Sequence, residues 1–301
     1  MEYKKLPDLK GLATLRAVVE LGGVEQAARA LHIGQPAVTK RLRALDDSYG
    51  LPLMQRRGRK LELTVAGEKV YAFSRLALDH QKSLTEDLRR LRQGRNRLRL
   101  EVTFAIGERL LPDLLLAFAD QHPEFHIDSR MGYSRRIQTR VATGLADLAL
   151  LELAPDHPDI LVQKWLDDEL ILVCAPHHPL GRQDSIDLDA LKQQQFVLRE
   201  AESSTRITLD RELRDLGVAQ LPTALEVGST DTIVEIVGRG RYLSFLPRFA
   251  VTDALASRQL RQLPVRGLRL KITLWIARNR GSIDNPVAEA FIALLRQIHP
   301  V

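Results

Sequence analysis

Cysteine is nearly absent from the chain. Cys174 is the only one in 301 residues and lies in the apolar run Leu170 to Ala175, so no internal disulfide can form. A reducing, cytoplasmic compartment is the simplest expectation. Long apolar runs are missing too. No stretch approaches the ~20 residues that span a bilayer, and the first apolar segment, Leu12 to Leu21, is broken by Arg16 and Glu20. Neither a membrane partner nor a signal peptide is expected. Catalytic signatures are equally scarce: there is no G-x-S-x-G elbow, no P-loop and no H-E-x-x-H. Gly238-x-Gly240 is too short for a dinucleotide fingerprint and follows a helical stretch rather than a strand. His177-His178 is the only histidine pair, and adjacent histidines on a turn point apart, with no cysteine or carboxylate at ligand spacing. These absences predict no catalytic residue, no cofactor and no metal.

What is present is an ordinary globular composition, 45% hydrophobic and 27% charged. At roughly 100 to 200 residues per domain, the length allows two sizeable units. The net charge of +6 is unevenly spread. Residues 1–100 carry 21 Lys and Arg against 11 Asp and Glu, whereas residues 101–301 carry 23 against 27. A basic segment joined to a mildly acidic one points to a nucleic-acid-binding end and a separate task for the rest.

The basic part has helical periodicity. Leu9, Leu12, Leu15, Val18, Val19 and Leu21 define one apolar face that stops at Gly22-Gly23. A second helix is predicted from about Val24 to Leu31, and a third, after His32-Ile33-Gly34, from about Gln35 to Tyr49 with Pro36 in its first turn. Alternation around Arg56-Arg57-Gly58-Arg59-Lys60 and Leu61-Glu62-Leu63-Thr64 reads as a two-stranded wing. From Val65 to about Gln93 a helix of about 40 Å follows. Its Val70, Ala77, Leu84 and Leu91 recur every seven residues, with Phe73 and Leu88 alongside, which predicts a short seam between subunits. Arg92 to Arg97, with Gly94 and Asn96, reads as a hinge.

Beyond the hinge, strands and helices alternate. Expected strands are Leu98–Phe104, Phe125–Met131, Asp147–Leu153, Leu170–Ala175, Phe196–Leu198, Thr223–Val227 and Tyr242–Phe245. Helices are expected at Leu110–His122, Ile137–Gly144, near Leu188, Thr205–Leu216 and Thr230–Val237, before a long strand Leu268–Ala277 and a closing helix Pro286–Ile298. Two such α/β series make two lobes with a cleft outside the carboxyl ends of their strands.

The run Ala27-Ala28-x-x-Leu31-x-x-x-Gln35-Pro36-Ala37-Val38-Thr39-x-x-Leu42-x-x-Leu45, followed by Gly50-x-x-Leu53, Arg56, Leu63-Thr64 and Ala66-Gly67, resembles the winged helix-turn-helix of LysR-type transcriptional regulators. The order of the later elements resembles that family's effector domain, so the likeness covers essentially the whole chain. Three positions depart from the pattern: Gly34 replaces a serine cap, Met54 follows Leu53, and Asp46 follows Leu45. The resemblance implies an N-terminal, mainly helical winged helix-turn-helix with a long linker helix, followed by a two-lobed α/β effector domain like the periplasmic binding proteins. The expected boundaries are 1–65 for DNA binding, 66–94 for the linker helix and 95–301 for the effector domain. Lobe I would take about 95–164 and 265–301, and lobe II about 165–264. The implied partners are double-stranded operator DNA, a small-molecule effector, RNA polymerase and further copies of the chain, as a dimer or a tetramer. The alternatives are a two-lobed solute-binding protein, or an enzyme whose basic segment serves another purpose.

The DNA-reading face follows from helix geometry. Gln35, Thr39 and Arg43, with Lys40 beside them and Pro36 at the same end, recur at the spacing that reaches base edges in a major groove. Arg56, Arg57, Arg59, Lys60 and Thr64 belong to the wing, where charge sets affinity more than sequence choice. In the effector domain, Ala105-Ile106-Gly107 follows the first strand and Tyr133-Ser134 the second. Ser203-Ser204-Thr205 and Gly228-Ser229 open helices in the second lobe. Converging helix N-termini favour an anionic group on the ligand. Glu152, after the third strand, stands where some members of the resembled family place a basic residue, which the resemblance sets against a simple anion. Arg135, Arg136 and Arg206 are candidate holders of a negative group or plain surface charges.

Overall fold

The computed structural model describes residues 6–57, 60–93, 96–218, 220–280 and 285–298, and forms two compact units, Met1–Arg92 and Gln93–Val301. In the first, α1 (Leu9–Glu20) is capped by Asp8, whose side chain accepts the Gly11 N–H at 2.6 Å. Leu12, Leu15 and Val18 bury one face of α1 against α2 (Val24–Ala30) and α3 (Gln35–Tyr49). Ala27 and Ala28 are small enough to let the helices approach closely, beside Val38. Gly50, at φ 68°, closes α3 in the left-handed conformation that glycine adopts without strain. The wing pairs β1 (Met54–Arg57) with β2 (Lys60–Leu63), antiparallel.

The long helix α4 spans Val65–Gln93. Thr64 starts it: its hydroxyl donates to the Pro52 carbonyl at 2.8 Å and accepts the Gly67 N–H at 3.0 Å. A Cβ on Gly67 would stand 1.9 Å from the Leu53 carbonyl oxygen, so only glycine lets α4 begin where it does. Val70 and Ala77, half of the seven-residue series, pack on the core of this unit. Leu84 of that series, with Phe73, Leu76 and Leu88, forms an exposed apolar stripe. The Leu91 side chain lies outside the described residues, as do Gly94 and Arg95 of the expected hinge.

The second unit is built on one seven-stranded sheet. Its elements are β3 (Arg97–Thr103), α5 (Phe104–Arg109), α6 (Leu111–Gln121), β4 (His126–Gly132), α7 (Ser134–Ala142), β5 (Leu148–Leu151) and β6 (Ile160–Cys174). There follow β7 (Phe196–Arg199), α8 (Ser204–Asp215), β8 (Thr223–Val227), α9 (Thr230–Gly238), β9 (Ser244–Pro247), α10 (Arg248–Ala256), β10 (Arg261–Gln262), β11 (Leu270–Asn279) and α11 (Pro286–Ile298). The strand order is β10-β6-β11-β5-β3-β4, with β9 also on β6 and β7 paired with β8 beside it. β3 runs parallel to β4 and β5, and β7 parallel to β8. One core gathers Leu98, Leu100, Val102, Phe118, Trp165 and Phe291; a second gathers Leu172, Phe196, Leu198, Leu209 and Phe245. Burying each aromatic ring of this kind contributes about 1.5–3 kcal/mol.

Three expectations need correction. Phe104 opens α5 rather than ending the strand: it continues the alternation of Leu98, Leu100 and Val102, and a six-residue helix is too short to show a period. The strand expected at Leu170 is the far half of β6, 15 residues and about 50 Å long. Its middle, Asp167-Asp168-Glu169, crosses between the lobes and keeps no alternation. β6 and β11 lie antiparallel through both lobes, with a register shift between Leu274 and Trp275. The helix near Leu188 is a 3-10 turn, Leu188–Gln193. Cys174 is fully buried on β6, and burial raises its thiol pKa.

Candidate functional site

The exposed side of α3 is one continuous surface. Gln35, Pro36, Thr39, Lys40 and Arg43 are all exposed and, with Ala44 and Asp47, line a shallow depression. Gly34 caps the helix with extended backbone and no side-chain bond, so nothing shields the first turn. The Thr39 hydroxyl donates to the Gln35 carbonyl at 3.1 Å, which turns its methyl outward for apolar contact. Asp46 faces inward and accepts the Leu53 N–H at 2.9 Å, fixing the turn that leads to the wing. Arg56 is exposed on β1 opposite Leu61. The Thr64 hydroxyl is engaged at the start of α4, as described above. Arg59 and the side chains of Arg57 and Lys60 lie outside the described residues.

In the second unit, the carboxyl ends of two sets of parallel strands meet. β3, β4 and β5 end at Thr103, Gly132 and Leu151; β7 and β8 end at Arg199 and Val227. Among the described residues, three hydrogen bonds or ion pairs join the two sides. Thr205 Oγ1 on α8 donates to Glu152 Oε1 at 3.0 Å. The Thr230 N–H, opening α9, donates to Glu108 Oε2 at 3.1 Å. Arg109 pairs with Asp231, and the Tyr133 hydroxyl faces the Glu200 carboxylate.

At the centre is Arg199, only 3% exposed. Its guanidinium makes two 2.9 Å bonds to Glu200, a 3.1 Å bond to Thr230 Oγ1, and lies 5.7 Å from the centre of the Phe104 ring. Phe104 in turn meets Tyr133 edge to face at 5.1 Å. Burial works to raise the Glu200 carboxyl pKa, but Arg199, its own backbone N–H and Tyr133 outweigh it and hold it below the ordinary range. Glu152 has the opposite balance. Complete burial pushes its pKa up, aided by the charge of Glu108, and Thr103, Thr205 and Arg199 offset this only in part.

Other expected cleft residues have local tasks. Ala105 and Ile106 are buried inside α5, and Gly107 leaves room for Met131, whose sulfur would stand 2.5 Å from an added Cβ. Ala105, Ile106 and Gly107 therefore form a helical turn directly after the first strand. Ser134 Oγ accepts a bond from Gln138, and Ser229 Oγ accepts the Thr232 N–H of its own helix. Gly228 is exposed, while Ser203 and Ser204 are buried at the start of α8. Arg135 and Arg136 are exposed. Arg206 is buried and bonds Asp210, Glu226 and the Arg199 carbonyl, so it steadies Arg199 from behind. His178 Nδ1 accepts the Leu180 N–H in a local turn. Among the described residues no helix is long and apolar enough to cross a membrane, and no three His, Cys, Asp or Glu gather as a metal site.

Two family profiles together match most of the chain. The profile described as "Bacterial regulatory helix-turn-helix protein, lysR family" matches residues 9–68, and "LysR substrate binding domain" matches residues 91–299. The chain belongs to the LysR family of transcriptional regulators. As a LysR-type regulator it joins a helix-turn-helix DNA-binding domain to an effector-binding domain. The HTH-type transcriptional activator CmpR of Synechocystis sp. is 28% identical over 282 residues, 93% of this chain and 91% of that protein. Full-length CbnR complexed with its target DNA covers 96% of this chain and 99% of its own, with a TM-score of 0.67 at 21% identity. The regulatory domain of Synechocystis CcmR in complex with 2-PG covers 68% of this chain and 97% of its own, with a TM-score of 0.61 at 24% identity. At these identities the structural likeness shows the shared fold.

For this LysR-type chain, sequence reasoning missed Glu108, Arg199 and Glu200. Arg199 carried a usable signal, since it directly follows the predicted strand Phe196–Leu198, at the end where such sheets bind ligands. Glu108 carried none, because the helix that presents it was not foreseen.

Proposed function

We propose that the chain is a ligand-responsive regulator that acts as a homo-oligomer on a partly palindromic operator. Residues 1–65 form the DNA-binding domain, 66–94 the linker helix that pairs subunits, and 95–301 the effector domain. Lobe I takes about 95–164 and 265–301, and lobe II about 165–264. α3 enters the major groove, where Gln35, Thr39 and Arg43 read bases, with Pro36 and Lys40 at their side. Arg56, Arg57, Arg59 and Lys60 hold the backbone from the wing, with Thr64 at its base. The carrying observation is the uninterrupted exposed face of α3 within a chain of this family. The solved CbnR–DNA complex supports DNA as the partner.

A small polar molecule binds in the inter-lobe cleft, near the strand ends that present Ala105 to Gly107, Tyr133, Ser134, Ser203 to Thr205, Gly228 and Ser229. The 2-PG complex of CcmR supports a small-molecule effector. Ligand changes lobe closure and so the spacing of the DNA-bound subunits. The apolar stripe on α4 supports a dimer, from which a tetramer is assembled. The protein works in the cytoplasm, catalyses no reaction and acts on promoters in contact with RNA polymerase. Anisotropy titration of the purified protein with DNA from upstream of its own gene, against shuffled DNA at the same salt, tests the reading. At least ~10³-fold preference for one intergenic fragment is expected. Equal affinity for both would overturn it.

A further inference from the structure

Two carboxyl groups in the cleft have no cation of their own. Among the described residues neither Glu108 nor Glu152 forms an ion pair, while Arg199 is paired with Glu200 and Arg109 with Asp231, which leaves the buried Arg109 Nε–H without an acceptor. Each carboxyl also stands where a ligand anion would be expected. Glu108 takes the N–H of Thr230 at the start of α9, and Glu152 takes the hydroxyl of Thr205 in the first turn of α8. A ligand carboxylate would have to displace one of them and share a low-dielectric site with both.

The remaining groups suit the opposite charge. The Thr103 hydroxyl, 3% exposed, faces the Glu152 carboxyl and has no other partner among the described residues, so its oxygen can accept from a donor while its O–H points at the carboxyl. The Phe104 ring already accepts a guanidinium, and Tyr133 meets it edge to face. Carboxyls, a hydroxyl acceptor and aromatic faces together recognise an organic cation.

We propose that the cleft recognises its effector through a protonated amine set between Glu108 and Glu152, so that the effector class is an organic ammonium compound and not a simple carboxylate. The proposal rests on reading the cleft as the effector site. The ammonium N–H donates to the Glu152 carboxylate; any proton that burial holds on that carboxyl leaves to solvent as its O–H bond breaks on binding. The groups that face Glu152 are Thr103 at the end of β3, Glu108 on α5, Arg199 at the end of β7 and Thr205 on α8. Because burial raises the Glu152 pKa, amine binding tightens as pH rises. A carboxylate ligand would leave that proton in place and would not tighten as pH rises.

The experiment is calorimetric titration of the full-length protein with benzylamine, putrescine, benzoate and succinate at pH 6, 7 and 8. Glu152→Gln and Glu108→Gln, which keep an acceptor oxygen, are titrated in parallel. At least one amine should bind more tightly than its matched acid, tighten as pH rises, and lose both affinity and pH slope in Glu152→Gln. Tighter binding of the acids, no binding by either amine, or amine affinity untouched by both substitutions would overturn the proposal. Specific DNA binding by the same preparation separates the two failures. If it persists while the amines are inert, the ligand class is wrong; if it is missing as well, the regulator reading fails too.

Discussion

The two units of this protein treat polar side chains in opposite ways. On α3 the groups that matter, Gln35, Thr39, Lys40 and Arg43, are exposed and hydrated, held only by the helix beneath them. In the cleft, Arg199, Glu200, Thr205, Thr230 and Glu152 are largely buried and bonded to one another. A surface that must meet a polyanion keeps its charges free, because each phosphate contact draws on an unspent donor. A cleft that must distinguish small molecules does so with groups whose partners already exist, because an unpaired polar atom in a dry site costs about 1–3 kcal/mol. The difference teaches where to look: candidate DNA contacts are sought as exposure on one helix, and candidate ligand contacts as bonds between elements far apart in sequence.

Six substitutions can break or sharpen that contrast. The largest effect is expected from Gly67→Ala, whose Cβ collides with the Leu53 carbonyl. It should cost roughly 3 kcal/mol or more in the first unit and abolish DNA binding, while the melting of the effector unit, followed separately by calorimetry, stays in place. A single merged transition shifted as a whole would show that the units do not unfold independently. Arg199→Met should do the reverse. Removing the guanidinium leaves Glu200 without its partner and lowers effector-unit stability by about 3 kcal/mol, with non-specific DNA affinity unchanged.

Next come Thr39→Ala and Arg43→Ala, each reducing specific operator binding by roughly 1–3 kcal/mol with little loss on random DNA. Equal losses on both DNAs would remove them from base reading. Arg59→Ala is their counterpart: both affinities fall together and the salt slope drops by about one.

The smallest effect carries a sign. Because burial raises the Glu152 carboxyl pKa, the folded chain keeps a proton that the unfolded chain releases. Its contribution is present at low pH and is lost as pH rises from the unfolded carboxylate value toward the raised folded one. Glu152→Gln cannot ionise and should melt above the wild type at pH 8, with the two converging toward pH 4. A shift of about 2–4 °C corresponds to about 1 kcal/mol in a domain of this size. A gap that widens on acidification would contradict the burial argument.

Much of the architecture was legible before any coordinates. The spacing of Leu12, Leu15 and Val18, the stop at Gly22-Gly23 and the alternation of Leu98, Leu100 and Val102 reflect local periodicity, which a chain carries in its own order. The exposed face of α3 was legible for the same reason: a helix that buries Val38 and Leu45 must turn Thr39 and Arg43 outward. Thr64 and Ser229 show the limit of such reading. Each was a candidate for contact with DNA or ligand, and each has its hydroxyl bonded at the start of its own helix, a local alternative that sequence cannot separate from the functional one.

Sequence by itself therefore determined the class of fold, the order of its parts, the sign of charge in each and the helix whose polar face stays exposed. Only the tertiary structure decided that one long strand, β6, serves both lobes, that α5 carries Glu108 to the start of α9, and that Glu152 meets Thr205 53 residues away. Periodicity reports what a residue does within its own element. Charge pairing across a cleft depends on which elements the fold brings together, and no window along the chain contains both partners.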